Sequence, residues 1–159
     1  VNGRFSAEQR AVYDIVLEAN LAALARVKPG NHWNEPHEAA VQVLTAGLVK
    51  LGLLKGRVPA LIKSQAYRKF YMHRTGHWLG MDVHDVGEYK QGGEWRLLKP
   101  GMVLTVEPGC YIRPADNVPE HFWNIGIRIE DDVVVTQTGH ELLTVAAPKS
   151  IADIEELMQ

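Results

Sequence analysis

Cysteine is almost absent from this sequence, because Cys110 is the single one among 159 residues. One cysteine cannot form an internal disulfide, so the chain is not a disulfide-stabilised secreted scaffold. We expect Cys110 to be a small buried apolar residue rather than a nucleophile. We also expect the protein to work in a reducing compartment, the cytoplasm.

The sequence also lacks a large excess of charge of either sign and a long apolar run. The formal net charge is -2 at neutral pH, which gives no electrostatic basis for binding nucleic acid or an anionic membrane. No apolar stretch approaches the roughly 20 residues that span a bilayer. The N-terminus has no basic-then-apolar signal pattern. We therefore expect neither nucleic acid nor a membrane as a partner.

An initiator methionine is missing as well, because the chain opens on Val1-Asn2-Gly3. This start suggests a fragment or a processed product. The length of 159 residues and the apolar fraction of 46% are typical of a single globular domain. We therefore expect one domain over residues 1–159.

The first third of the sequence has helical periodicity. Ser6 opens a capping-box pattern, and the apolar residues behind it recur at helical spacing until Pro29. A second helix is predicted from about Pro36 to about Leu51, with its proline tolerated in the first turn. Ser150 predicts the start of a short C-terminal helix.

After about residue 69 the segments become short, β-branched and separated by glycine, which is typical of strands. We interpret Asp131-Asp132 as a hairpin turn between the last two of them. Helices followed by strands predict an α+β fold, with helices on one face of an antiparallel sheet. The predicted strands are Met81–His84, Met102–Glu107, Cys110–Ile112, Ile125–Glu130 and Val133–Thr136.

Three histidines, His73, His77 and His84, lie within a dozen residues. The spacing of the first two resembles half of a zinc-protease helix, but Gly76 disfavours a helix interior. We therefore place His73 and His77 on extended or loop backbone beside a strand, and His84 on the strand predicted after them. Gly76 and Gly80 would let the backbone approach a neighbour or a ligand closely. A lone histidine is usually structural, whereas three together favour a functional site.

Two glutamates end predicted strands. Glu107 follows an apolar run and precedes Pro108-Gly109, and Glu130 ends a second run. A carboxylate at the end of a buried strand is costly unless it is paired or metal-bound. Arg128 points to the same face as Glu130. It is either half of a surface ion pair that contributes little, or a partner that orients a metal-binding carboxylate.

One imidazole with several carboxylates suits a divalent ion such as Mn²⁺, with Co²⁺ or Zn²⁺ as alternatives. Two ions about 3.5–4 Å apart that share carboxylates activate a common water in two-metal aminopeptidases. The spacing of the residues leaves the number of ions open.

Three segments together resemble a known family: His73–Asp85, Val106–Gly109 and Gly126–Asp131. In this order and spacing they are similar to the C-terminal catalytic domain of aminopeptidase P (Xaa-Pro aminopeptidase), and most of all to the bacterial enzymes. The resemblance covers nearly the whole chain. It implies a pita-bread fold with helices packed on a curved antiparallel sheet, and a metallopeptidase that removes an N-terminal residue preceding proline.

The resemblance also implies a site with two Mn²⁺ ions. His77, Glu107 and Glu130 would be metal ligands, and Glu107 would also be the acid/base group. Hydroxide held by the metal would attack the scissile carbonyl of a peptide with proline at its second position.

Three further residues would assist in this mechanism. His73 and His84 would contact the substrate and the tetrahedral intermediate, with His84 stabilising the intermediate or moving a proton. Arg128 would support the metal-binding carboxylates. By the same resemblance, the enzyme would be a homo-oligomer.

The chain departs from the family at its start. Two further metal ligands of the family are aspartates on a hairpin that would precede the segment Val1–Ser6, and the family also has a separate N-terminal domain. With three of five ligands, we expect this chain alone to bind metal weakly and to have little or no peptidase activity. An uncovered sheet edge and uncovered helix faces would favour association.

Two alternative functions remain open. Pita-bread domains also serve as non-catalytic binding modules, although such modules typically lose the metal ligands. Prolidase, an Xaa-Pro dipeptidase, differs from aminopeptidase P in acting on a dipeptide rather than on a longer peptide.

Overall fold

The computed structural model describes residues 3–159 of the chain. Within this range, long helices come first and antiparallel strands follow. The helices are α1 (Ala7–Leu24), α2 (Glu35–Lys50), α3 (Val58–Lys63) and α4 (Ile151–Leu157), with two 3-10 helices at Ala66–Lys69 and Glu120–Phe122. The strands are β1 (Lys90–Gln91), β2 (Glu94–Trp95), β3 (Val103–Val106), β4 (Gly109–Ile112), β5 (Ile125–Arg128), β6 (Asp131–Val135) and β7 (His140–Leu142).

The helices form where their local signals predict them. The Ser6 hydroxyl accepts a hydrogen bond from the Gln9 amide at 3.2 Å, and the Gln9 side chain accepts one from the Ser6 amide at 2.9 Å. This capping box opens α1. α2 has its proline in the first turn, and Ser150 caps α4. Gly47 lets α2 approach α1 closely, because a Cβ there would lie 2.5 Å from Cγ2 of Ile15.

All strand pairs in the described residues are antiparallel, and they form three small sheets. β3 pairs with β6, which pairs with β7, while β4 pairs with β5 and β1 with β2. In the first sheet Val106 lies opposite Asp131. Between the first two sheets, the Ile129 amide donates to the Pro108 carbonyl at 3.3 Å. The segments that follow β3 and β5 therefore run side by side.

The core lies between the helices and the strands. Buried apolar residues of α1 and α2 form one continuous cluster with those of β3, β4 and β6. Cys110 belongs to this cluster, and burial raises the pKa of its thiol to about 12. The prediction of a buried apolar cysteine is therefore confirmed. No helix within residues 3–159 is long and apolar enough to cross a membrane.

The predicted strand Met81–His84 is wrong. These residues form a series of bends, and Met81 is 100% exposed. The loop is tight at Gly80, where a Cβ would lie 1.7 Å from a carboxylate oxygen of Asp85. Apolar–polar alternation does not make a strand when no neighbouring segment supplies backbone partners. His84 therefore lies on an exposed loop rather than on a strand.

The interpretation of Asp131-Asp132 as a hairpin turn is also wrong. Both residues belong to β6, and Asp131 is fully buried. Its carboxylate binds Thr144 and Lys149, which lie 13 and 18 residues further along the chain, so no local pattern reveals them. β5 ends at Arg128, and β6 begins at Asp131. The two strands do not pair with each other, and Glu130 lies between them.

Candidate metal centre

The backbone around His77 runs as an extended segment beside β3. The Thr105 amide donates to the His77 carbonyl at 3.0 Å, and the Glu107 amide donates to the Thr75 carbonyl at 2.7 Å. Gly76 permits this approach, because a Cβ there would lie 2.0 Å from the Thr105 carbonyl oxygen. The prediction that His77 lies on extended or loop backbone beside a strand, and the close approach predicted at Gly76, are therefore confirmed.

His77, Glu107 and Glu130 converge where the chain leaves β3 and β5. Each offers a ligand atom, and these atoms all lie within 4.8 Å of one another. His77 Nε2 lies 3.2 Å from Oε1 of Glu107. The other ring nitrogen, Nδ1, lies 2.9 Å from the Trp78 carbonyl, which only accepts, so Nδ1 carries a proton. Nε2 is then the ring nitrogen left to bind a metal ion between the imidazole and the carboxylates.

The electrostatics of this cluster favour a cation. The pKa of Glu130 is raised above its usual value, first by partial burial and then by the negative charges of Glu107 and Asp132, which outweigh the opposing effects of His77 and Arg128. Glu107 is only 8% exposed, and its Oε1 accepts a hydrogen bond from the Thr105 hydroxyl at 3.2 Å. Two carboxylates that repel each other, together with an imidazole nitrogen, form a donor set that fits a divalent ion.

Arg128 contacts Glu107 rather than Glu130, its neighbour along the chain. The ion pair places Nη1 of Arg128 3.1 Å from Oε2 of Glu107, and no ion pair joins Arg128 to Glu130 within residues 3–159. The simple surface pair between Arg128 and Glu130, one of the two interpretations of the sequence, is therefore wrong. The two oxygens of Glu107 have different neighbours, because Oε1 faces His77 and Oε2 faces Arg128.

Tyr111 connects His73 to this arrangement. Its hydroxyl lies 2.8 Å from His73 Nε2 and accepts a hydrogen bond from Arg128 Nε at 2.8 Å. Sequence analysis missed Tyr111, because an aromatic residue within a strand is typical of a core position. The nearby signal is Gly109, where a Cβ would lie 2.6 Å from the Tyr111 hydroxyl. The glycine thus leaves room for the tyrosine to reach the site.

His84 reaches the cluster from its exposed loop. The rings of His84 and His77 stand edge-on, with their centroids 4.4 Å apart. In the described part of the chain, neither His84 nor His73 belongs to the cluster of three candidate ligands. His84 contacts that cluster through His77, whereas His73 is joined to it through Tyr111 and Arg128.

A buried polar network that the sequence did not predict lies behind His73. The Thr75 hydroxyl lies 2.8 Å from Nδ1 of His37 and 2.6 Å from the hydroxyl of Tyr71. The Tyr71 ring meets the His73 ring edge-on, with centroids 4.9 Å apart. Burial, followed by the charges of Arg74 and His73, lowers the pKa of His37 to about 4. His37 is therefore neutral at physiological pH.

Asn20 of α1 links the two strand ends that carry the glutamates. Its side-chain amide donates to the Val106 carbonyl at 3.1 Å and to the Ile129 carbonyl at 3.5 Å. Each carbonyl belongs to the residue directly before a candidate ligand. Sequence analysis missed this residue, because its partners are 86 and 109 residues away.

The comparison with protein families identifies the fold and the class of chemistry. Residues 1–137 match the model of metallopeptidase family M24. The chain belongs to this family. Members are metallopeptidases, which agrees with the imidazole–carboxylate cluster formed by His77, Glu107 and Glu130.

Individual relatives support this assignment. Xaa-Pro aminopeptidases of Haemophilus influenzae and Escherichia coli are 52% and 53% identical over 158 residues. The match covers 99% of this chain but 36% of each relative, so the chain spans about a third of their length. The structure of Pseudomonas aeruginosa aminopeptidase PepP superposes with a TM-score of 0.97 at 64% identity, again covering 99% of this chain and 36% of that one.

A second solved structure gives the same result. E. coli aminopeptidase P with the inhibitor Pro-Leu has a TM-score of 0.94 at 53% identity, over 99% of this chain and 36% of that chain. The α+β pita-bread fold that the sequence predicts is therefore confirmed.

Proposed function

We propose that this chain supplies the larger, C-terminal part of the catalytic domain of an Xaa-Pro aminopeptidase of the bacterial type. The observation that carries the proposal is the convergence of His77, Glu107 and Glu130 within 4.8 Å, joined to Arg128 and Tyr111. The relatives named Xaa-Pro aminopeptidase support the same activity. Because the chain spans about a third of their length, the activity is proposed for this region as part of a complete catalytic unit.

The donor set supports Mn²⁺ as the metal, held by His77, Glu107 and Glu130, with Co²⁺ or Zn²⁺ as alternatives. One neighbouring structure is described as zinc-substituted E. coli aminopeptidase P in complex with product, which supports exchange between such ions in that enzyme. A pair of divalent ions in such a site would polarise the scissile carbonyl and lower the pKa of a water molecule.

Glu107 would move a proton during the reaction. Arg128 at Oε2 and the Thr105 hydroxyl at Oε1 fix the direction of its carboxylate. Oε1 lies 3.2 Å from Nε2 of His77, another of the proposed ligands. We therefore assign Glu107 the role of accepting the proton of the attacking water and passing it to the leaving nitrogen of proline.

The two flanking histidines would act on the substrate. His84, edge-on to His77 and exposed, would donate a hydrogen bond to the oxygen that becomes negative in the transition state. His73 is held by Tyr111 and would orient the peptide. Arg128 would keep the carboxylate of Glu107 aligned, because it pairs with Oε2 of that carboxylate.

The proposed substrate is a peptide with proline at its second position. The names of the relatives support it, as does the neighbouring structure of E. coli aminopeptidase P with the inhibitor Pro-Leu. We further propose a cytoplasmic location, for which the single buried Cys110 is suitable, and a homo-oligomeric assembly.

The other two functions are less well supported by the site. A non-catalytic binding module would have no need of an imidazole and two carboxylates within 4.8 Å of one another. A prolidase would share these three residues, so substrate length must separate it from an aminopeptidase. A dipeptide and a tripeptide substrate therefore belong in the same assay.

The test is hydrolysis by a chimera, in which this chain replaces the matching region of the P. aeruginosa relative. We expect Mn²⁺-dependent release of the first residue from an Xaa-Pro-Xaa tripeptide, and loss of this activity in Glu107→Gln. The chain alone should show little or no turnover. Cleavage of an Xaa-Pro dipeptide in preference to the tripeptide would favour prolidase. A folded chimera that cleaves neither peptide would contradict the proposal.

A further inference from the structure

A fully buried carboxylate, Asp131, directly follows the proposed ligand Glu130. Oδ1 of Asp131 accepts a hydrogen bond from the Thr144 hydroxyl at 2.9 Å, and Oδ2 lies 2.6 Å from the ammonium group of Lys149. The Thr144 hydroxyl also accepts a hydrogen bond from the Asp132 amide at 3.2 Å. Hydrogen bonds and an ion pair thus hold the segment after β7 against the first residues of β6. Thr144 and Lys149 lie beyond residues 1–137, the part that matches the family model.

The position of Asp131 in the sheet connects this contact to both carboxylate ligands. Asp131 lies opposite Val106 in the pairing of β6 with β3. Val106 directly precedes Glu107, just as Asp131 directly follows Glu130. A shift of Asp131 along or away from β3 would therefore change the distance between the two glutamates.

The backbone of Lys149 is itself held in place by α1. The Tyr13 hydroxyl of α1 donates to the Lys149 carbonyl at 2.8 Å, and the Lys149 side chain is only 21% exposed. The ammonium group therefore approaches Asp131 from a backbone that is anchored to α1. A buried carboxylate without this cation would be left uncompensated, which strongly disfavours its present position.

We propose that Asp131, Thr144 and Lys149 are positioning residues for the metal centre, which hold Glu130 at the distance from Glu107 that one divalent cation requires. This inference rests on the proposed function. None of the three is among the candidate ligands. They act through the backbone of Glu130, and they make the segment after residue 137 part of the metal site.

For the variant Lys149→Met, simple electrostatics and the proposed positioning role predict opposite changes in cation affinity. Lys149→Met removes a positive charge near the site, and by Coulomb's law alone this change would strengthen the binding of a cation. If Lys149 instead positions Glu130, the variant should bind the cation more weakly, because Asp131 loses its partner and the backbone of Glu130 is no longer fixed. The direction of the change therefore separates the two effects.

The experiment is a Co²⁺ titration of this chain, followed by visible absorption, with thermal unfolding of each variant. We expect Lys149→Met and Thr144→Val each to raise the Co²⁺ dissociation constant by about tenfold or more, the effect usual for residues that orient ligands. Thr144→Val keeps the ion pair and should fold even where Lys149→Met does not. Lys149→Arg keeps the charge and should bind Co²⁺ like the parent. Leu48→Ala, in the buried face of α2, should lower the unfolding temperature without changing the dissociation constant.

Either of two results would overturn the inference while leaving the proposed metal site in place. One is a Co²⁺ dissociation constant that is unchanged or lower in Lys149→Met and unchanged in Thr144→Val. The other is an equal loss of affinity in Leu48→Ala, because the effect would then be one of general stability. His77→Ala tests the underlying proposal separately. If it binds Co²⁺ as the parent does, the proposed metal site itself is wrong, and this inference with it.

Discussion

Arg128 and Glu107 form an ion pair between two different sheets, with 3.1 Å from Nη1 to Oε2. Arg128 ends β5, whereas Glu107 follows β3. The pair therefore does more than neutralise a charge, because it ties the strand that leads to Glu130 to the carboxylate of Glu107. The Tyr111 hydroxyl accepts a further hydrogen bond from the same guanidinium. This one arginine thus contributes to the geometry of the proposed metal site from both sheets.

Arg128→Lys should lower the activity of the chimera. A lysine has a single ammonium group and cannot bind Glu107 and Tyr111 with the geometry of a planar guanidinium. We expect kcat/KM for an Xaa-Pro-Xaa tripeptide to fall by about tenfold or more. Arg113→Lys, at an exposed position after β4, is the matched control and should leave kcat/KM unchanged. Equal activities of the two variants would contradict the proposed role of Arg128.

Tyr111→Phe should reduce activity without a large loss of stability. The variant removes only the hydroxyl that lies 2.8 Å from both His73 Nε2 and Arg128 Nε, and the ring stays in place. We expect a decrease in kcat/KM of the chimera with an unfolding temperature close to that of the parent. Tyr67→Phe, a buried tyrosine on the short helix before His73, is the control. Full activity in Tyr111→Phe would show that the link to His73 is dispensable.

Gly76→Ala should destabilise the fold. A Cβ would lie 2.0 Å from the Thr105 carbonyl oxygen, so the extended segment must move away from β3 and its backbone hydrogen bonds must lengthen. We expect a loss of about 2–4 kcal/mol in the free energy of unfolding, measured with urea. Gly139→Ala, where no atom lies within 4 Å of the added Cβ, should have little effect. Similar losses in both variants would contradict the close approach described here.

Stability should fall as the pH is lowered from about 6.5 to about 4, partly because of His37. Burial lowers the pKa of this imidazole to about 4 in the folded chain, from 6.5 in the reference state. Between these values the unfolded chain binds a proton that the folded chain excludes, so acid favours unfolding. The contribution of His37 to the free energy of unfolding is fully present above pH 6.5 and is lost as the pH falls towards 4. Its size is about 3 kcal/mol, from 1.36 kcal/mol per unit of pKa.

His37→Gln tests this assignment. The variant cannot take up the proton, so its free energy of unfolding should change less than that of the parent between pH 7 and pH 4.5. Comparing the change with pH, rather than stability at one pH, removes the effect of the altered hydrogen bond to Thr75. An identical pH dependence in parent and variant would show that other groups cause the loss.

The elements that the sequence predicts well are those with local signals. The capping box at Ser6 lies within one helical turn, and α1 begins there. Residue type and the resemblance to a family both indicate His77, Glu107 and Glu130, and the fold brings all three together. The short elements α3, β1, β2 and β7 have weak local patterns and were not predicted.

The errors arise where distant partners decide the structure. Asp131-Asp132 has the composition of a turn, but Thr144 and Lys149 hold Asp131 inside a strand. Met81–His84 alternates like a strand, but no described segment pairs with it. Asn20 was missed for the same reason, because its partners are more than 80 residues away and no local pattern marks it.

The central claim is that His77, Glu107 and Glu130 form a site for a divalent cation, and titration of this chain with Mn²⁺ by calorimetry tests it most directly. The parent, His77→Ala and Glu130→Gln should be compared, with His140→Ala as a control because its ring contacts the Val27 carbonyl away from the cluster. We predict weak but saturable binding by the parent and by His140→Ala, and at least about tenfold weaker binding by the other two variants. Binding by His77→Ala and Glu130→Gln equal to that of the parent would contradict the account.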